Sequence, residues 1–205
     1  SGYEIAATEQ PITDAALEKV SVLVIRNIDS PDYANERHPL AETEIGTVVR
    51  FVKNGGALLL TGNSLPDSRG KSPFDVAASN NLAKHFGVKF NASSVGDRMI
   101  PLPPGQPYFP GLTQIFYDDG DDLDLFPAPG ATNYGLLLYS GKPIIAEAIL
   151  GKGRAIFIGD SGTWGNSILM RSESQNLKMI LEIFARMAPP PTNLSAPELS
   201  LDATE

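Results

Sequence analysis

The sequence predicts a three-layer α/β domain built on a mostly parallel sheet, and three observations predict it. "VSVLVIRN" (Val20–Asn27), "ALLLTG" (Ala57–Gly62) and "RAIFIGDS" (Arg154–Ser161) are runs too apolar for one-sided strands, the pattern of parallel strands covered on both faces. Amphipathic helical patterns alternate with them, which places helices on both sides of the sheet. Right-handed crossovers then gather the loops that follow the strands along one edge.

Element by element, "YEIAAT" (Tyr3–Thr8) alternates weakly as a short strand, and "ITDAALEKV" offers Thr13 or Asp14 as the cap of a helical turn. After the Val20–Asn27 strand comes the polar loop "IDSPDYANERHP". "LAETEIGTVVRFVKN" has helical spacing at Leu40, Ile45, Val48, Val49 and Val52, with acids early and Arg50 and Lys53 late, as the helix dipole prefers. Asn54-Gly55 supplies its left-handed end. A second helix, Asp75–Val88, is ended by Gly87 and followed by a short strand, "VKFNA".

From Ser93 to Pro129 the texture changes. Pro and Gly are dense, and the only strand predicted in this 93–130 excursion is "QIFY". "YGLLLYS" and "PIIAEAIL" form a hairpin through Ser140-Gly141-Lys142-Pro143, which makes one side of the sheet mixed. "SQNLKMILEIFARMA" is the last helix, with Leu177, Ile180, Leu181 and Phe184 on its apolar face. The predicted domain spans residues 1–188. The Pro-rich tail, 189–205, cannot pack a core and reads as disordered.

Bulk properties exclude several classes. The 205 residues suffice for one domain with a sizeable core. Sixteen Lys and Arg against 24 Asp and Glu give a net charge of −8 with no basic stripe, which argues against nucleic acid as a partner. No apolar run approaches the ~18 residues of a membrane span. Cysteine is absent, so disulfides, thiolate nucleophiles and sulfur-ligated zinc are excluded. The two histidines, His38 and His85, are far apart, and no cofactor motif is present. "GKG" and "NGG" lack the phosphate-loop frame and lead into strands rather than helices. Asn91-Ala92-Ser93 and Asn193-Leu194-Ser195 match the glycosylation triplet, which carries meaning only in a secreted eukaryotic chain.

Several segments together resemble the class I glutamine amidotransferase-like superfamily: "LEKVSVLVIRN", "EIGTVVRFVKNGGALLLTGNS", "NNLAKHFGVKF", "GKGRAIFIGDSGTWGN" and the closing helix. The likeness, over roughly Tyr3–Ala188, is to its non-amidotransferase branches. These include bacterial domains of unknown function, the auxiliary component of gliding-motility ABC transporters, ThuA-like proteins and the trimerisation domain of some β-galactosidases. The resemblance implies a flavodoxin-like sheet, a secreted or periplasmic setting, and an extra first strand upstream of Tyr3. The superfamily's enzymes place a Cys after the strand matching Ala57–Gly62 and a His-x-Glu pair near the end. Here these positions read Gly62-Asn63-Ser64 and Gly159-Asp160-Ser161, which excludes glutaminase chemistry.

The loops after the three strands hold the candidate residues. "GNSLP" approaches a nucleophile elbow at Ser64 but lacks the second Gly, and a serine nucleophile needs a base, for which His38 is the candidate. Asn27, Asp29, Asn63 and Ser64 join Asp160, Ser161, Thr163 and Trp164 as a candidate ligand-binding set at the edge where open α/β sheets bind ligands. A sugar ring could stack on Trp164 with its hydroxyls on Asp160. The competing reading is a tight turn in which Asp160 accepts backbone N–H bonds and Trp164 fills a gap. Asp29 and Asp160 could act as an acid–base pair if about 5–9 Å apart. "YDDGDDLD" clusters Asp118, Asp119, Asp121 and Asp122 as calcium candidates, but off the EF-hand spacing, and a solvated acidic loop is the favoured alternative. His85, near a helix end, reads as a surface residue.

The sequence thus points to a non-catalytic ligand-binding or assembly domain that takes a small carbohydrate-like ligand or a protein partner. The rival is a hydrolase of carbohydrate or ester substrates using Ser64 with His38, or the Asp29/Asp160 pair. A scaffold that oligomerises through its sheet edge or through the 93–130 excursion is a third reading, and the oligomeric state is open.

Overall fold

The structure, a computed structural model, describes residues 4–8, 10–26, 28, 40–63 and 76–187. A central sheet is built from β1 (Val22–Ile25), β2 (Ala57–Thr61), β7 (Ala131–Tyr139), β8 (Lys142–Leu150) and β9 (Gly153–Ile158), in the order β1-β2-β9-β8-β7. β1, β2 and β9 run parallel, while β8 and β7 pair antiparallel. The protein is therefore a mixed α/β domain.

Helix α2 (Glu42–Lys53) crosses from β1 to β2. Its first turn is held by Glu44, whose carboxylate accepts the N–H groups of Ala41 and Ile12, each at 2.9 Å. This also ties the N-terminal segment, with its single-turn helix α1 (Asp14–Leu17), to the sheet. Gly55 takes φ +120° just after the helix, the backbone freedom its C-terminal turn requires. α3 (Val76–Ala83) runs into a tight 3-10 turn at Lys84–Phe86, closed by Gly87 in the left-handed region. α4 (Asn166–Leu169) and α5 (Asn176–Met187) follow β9.

Two apolar layers cover the sheet. On one face Ile45, Val48 and Val52 of α2 and Leu82 of α3 pack on Leu58, Leu60 and Phe157, with Phe86 against Phe157 at 5.5 Å. On the other, Met179, Ile180, Ile183 and Met187 of α5 meet Leu59, Ile156 and Ile158. The second layer also takes in most of the excursion, which is more ordered than its composition predicts, while Leu123 joins the first. It contains β4 (Arg98–Pro101) paired with β5 (Gln114–Tyr117), and β6 (Leu123–Leu125) paired with β3 (Val88–Phe90). Buried Phe109, Leu112 and Ile115 anchor it in the core.

Several expectations need correction. Residues 4–8 form no strand. The predicted first central strand is only four residues long, and the hairpin strands are nine residues each. The hairpin turn is shorter than predicted, since Ser140 and Gly141 alone form it with φ values of 51° and 83°. Leu177 and Leu181 are exposed, because α5 buries the stripe through Asn176, Met179, Ile180, Ile183 and Met187 instead. The 189–205 tail lies outside the described residues.

One charged side chain lies wholly inside the sheet layer. Glu147, in the middle of β8, is fully buried. It accepts from Arg154 Nη1 at 2.9 Å, from Arg186 Nε at 2.8 Å and from the Tyr134 hydroxyl at 2.6 Å. Tyr134 stacks on Tyr108 at 5.6 Å, and Arg186 lies over the Tyr108 ring. Burial opposes the charge on Arg186, but the Glu147 carboxylate outweighs it and raises the arginine above its ordinary value. Glu147→Ala would leave two guanidinium groups and a phenol without their acceptor. It should lower the unfolding free energy by roughly 3 kcal/mol, the lower end for a broken buried pair because both arginines reach solvent. A urea titration checks this, and an unchanged midpoint would contradict it.

Candidate functional site

The parallel strands end where sequence reasoning expected, and their loops meet the excursion there. The Thr61 hydroxyl donates to the Arg26 carbonyl, joining the ends of β2 and β1. Gly62 N–H donates to Ile158 O at 3.0 Å, joining β2 to β9. Past β9, Gly159 O accepts Asp121 N–H at 2.7 Å, and Tyr117 donates its hydroxyl to Asp121 O at 2.8 Å. The Asp118–Asp121 turn thus lies directly on the end of the strand. The contact is close enough to need glycine, since a Cβ on Gly120 would sit 2.3 Å from the Asp160 Cβ.

Asp160 is the centre of this junction. It is fully buried, and one carboxylate oxygen accepts Asp118 N–H at 2.6 Å together with the Thr163 hydroxyl. The other accepts Gly162 N–H at 2.6 Å. Burial disfavours the anion more than these three donors favour it, and the acid is pushed up to about 6. Asp118 is also raised, first by burial and then by the neighbouring Asp97 carboxylate, with Arg171 acting in the opposite sense.

Asn176, at the start of α5, completes the junction. It accepts Phe116 N–H at 2.7 Å and donates to Phe116 O at 2.8 Å and Thr163 O at 2.9 Å. One buried amide therefore holds β5, the turn after β9 and the last helix together. Sequence reasoning passed over both Asn176 and Glu147. The available signal was a polar residue inside an apolar pattern, which marks a satisfied buried group.

The predicted site residues fall into three groups. Asp160, Ser161 and Thr163 are buried at the junction, and Trp164 is half-buried with its ring 6.4 Å from Phe184. Asn63 reaches the same junction, donating to Asp118 O at 3.4 Å. Asn27, Asp29, His38 and Ser64 lie outside the described residues, and with them the Ser64–His38 contact and the Asp29–Asp160 distance. His85 is exposed on the tight turn after α3.

The acidic loop is not the solvated loop expected. Asp121 is buried and accepts Ser93 N–H at 3.2 Å. Asp122 accepts from Asn91 at 2.6 Å and from Lys142 at 3.1 Å. Burial would raise this acid, but the Asn91 and Lys142 bonds outweigh it and hold the carboxyl below its ordinary value. Asp119 accepts the Ser94 hydroxyl. Asp119, Asp121 and Asp122 thus each have a donor in the protein, and among the described residues no three His, Cys, Asp or Glu side chains gather to hold an ion.

Two outcomes follow. The folded chain holds the Asp160 proton more tightly than the unfolded chain, where the acid titrates near 3.8. Its contribution to stability is therefore full below about pH 4 and is lost as pH rises toward about 6. Urea titrations across that window should show the decline, and Asp160→Asn should remove this part of the slope. A parent and variant with the same pH dependence would contradict the assignment. Gly120→Ala should cost roughly 2 kcal/mol by forcing the turn off Asp160, measured as a lowered thermal midpoint, and an unchanged midpoint would show that the contact is loose.

No family model matches the chain, and no curated protein matches it. Solved structures do. A structure described as the mmIFT52 N-terminal domain aligns with a TM-score of 0.65 and 17% identity, over 90% of this chain and 84% of that one. The cytoplasmic protein STM1381 from Salmonella typhimurium LT2 aligns at 0.60 and 16%, over 87% and 76%. The cytoplasmic protein STM3548 from Salmonella typhimurium aligns at 0.55 and 17%, over 85% and 75%. At these identities the likeness is one of fold.

Proposed function

We propose that this chain is a non-catalytic assembly domain on an amidotransferase-like framework, serving a protein partner rather than turning over a substrate. One observation carries the reading. Asp160, the acid at the late-strand position where the superfamily's enzymes carry their histidine, is buried, and both its oxygens are engaged by groups of its own chain. A general acid or base must reach the proton it moves, and a sugar-binding carboxylate must have lone pairs to offer. Asp160 is sealed from solvent with three of its about four lone-pair sites already taken, which bars it from both roles. The absence of Cys supports the same reading, as does an excursion seated on the strand ends where a ligand would enter.

The experiment is a hydrolysis assay of the purified chain against a panel of chromogenic esters and glycosides, beside the Ser64→Ala and Asp160→Asn variants. The reading predicts no turnover by the parent above the rate of either variant. Turnover that disappears in Ser64→Ala would establish the hydrolase instead.

A further inference from the structure

Glu147 gathers more positive charge than it needs. One cation neutralises a buried carboxylate, and a hydroxyl can take up a remaining lone pair. Here Glu147 holds two guanidinium groups as well as the Tyr134 hydroxyl. One positive charge is therefore left without a counter-ion, in a chain whose net charge is −8. Among the described residues neither arginine forms an ion pair with any other acid. Glu182, one turn before Arg186 on the same flank of α5, pairs with Lys178 instead. The side chains of Arg154 and Arg186 are only 35% and 30% exposed, so water screens the surplus incompletely.

The unspent donors are placed to receive an anion. Arg154 gives Glu147 only its Nη1, and Arg186 gives Nε and Nη2. Arg154 Nε and Nη2 and Arg186 Nη1 have no hydrogen-bond partner among the described residues, and none of the three is buried. Both guanidinium groups are tied to the oxygens of one carboxylate, which holds them side by side. Arg186 is seated further by the Tyr108 ring, 5.3 Å away, and by the Tyr134 hydroxyl at 3.2 Å. Such anchoring removes side-chain freedom that binding would otherwise have to freeze. A planar fork of N–H groups matches a carboxylate or a phosphate, and the charge decides between them. One carboxylate cancels the surplus and closes a ring of alternating charge with Glu147. A phosphate dianion would leave a net negative charge in a half-buried site.

We propose that Arg154 and Arg186 form a carboxylate-binding site, with the ligand carboxylate joining Glu147 between the two guanidinium groups. Arg154 stands at the start of β9, whereas the Asp160 junction lies past its end, so the site stands or falls independently of the hydrolysis result. A free organic acid and an acidic side chain of a protein partner share this chemistry. A single carboxylate held by two partly solvated arginines binds weakly, with a dissociation constant on the order of 10 mM.

The guanidinium NMR signals of the whole 205-residue chain test this in a titration with sodium acetate, set against sodium chloride at equal ionic strength. The expected result is a saturable shift of the Arg154 and Arg186 signals with acetate that chloride does not reproduce. Arg154→Gln should weaken acetate binding by about tenfold, read on the Arg186 signal. Arg154→Lys keeps the charge but not the fork, and should weaken it by about threefold. Native backbone spectra of the two variants would separate a lost site from a lost fold. A peptide with blocked ends and a single glutamate distinguishes the sources: binding tighter than acetate assigns the site to a partner's side chain, and binding no tighter assigns it to a free acid. Arginine signals that do not move, an equal response to chloride, or acetate binding untouched by Arg154→Gln would overturn the proposal.

Discussion

A buried carboxylate that accepts from its own backbone organises the end of this sheet. Leaving water costs Asp160 several kcal/mol, and the donors that offset the cost come from two separate places: Asp118 of the excursion, and Gly162 and Thr163 of the turn after β9. A group in this position adds a polar joint between segments that Asn176 and the apolar core also hold together. Asp160, by holding Asp118 N–H, helps seat the Asp118–Asp121 turn on Gly159. By holding Gly162 and Thr163, Asp160 also helps orient the turn that presents Thr163 O to Asn176. Strand end, excursion and last helix thus share one polar joint, with Asn176 as its second member.

The same logic recurs at the opposite end of the layer. Glu147 collects Arg154 of the neighbouring strand, Arg186 of the last turn of α5 and Tyr134 of the hairpin partner. α5 is thus pinned near its start by Asn176 and near its end by Arg186, with the apolar stripe between them giving most of the burial energy. A helix held at both ends keeps its buried stripe in register with the sheet.

The sequence carried the strands and helices because periodicity is a local property. Ala57–Thr61, the α2 spacing and the helix end at Gly87 were all readable from a few neighbouring residues, as was the hairpin, though not the length of its turn. The excursion was not. Its order comes from Phe109, Leu112 and Ile115 meeting a sheet laid down by residues far away in sequence, and dense Pro and Gly conceal such contacts. The acidic run misled for the same reason. Five aspartates in seven residues read as a solvated loop, but their partners, Asn91, Ser93, Lys142 and the end of β9, lie about twenty to forty residues away. Leu177 and Leu181 were assigned inward because helical spacing alone cannot distinguish two apolar stripes on one helix. For Asp160 the tight turn with backbone donors was one of two readings offered, and the donors Gly162 and Thr163 stand within three residues of it. The third donor, Asp118, is contributed by the fold.

Native-state hydrogen exchange at the backbone amides of Asp118 and Gly162 tests the central claim most directly. If Asp160 is the joint that closes the sheet edge, both amides are protected to the level of the slowest core amides and exchange only through global unfolding. Exchange at the rate of open surface loops, with the core still protected, would show an edge that opens freely and would contradict the account.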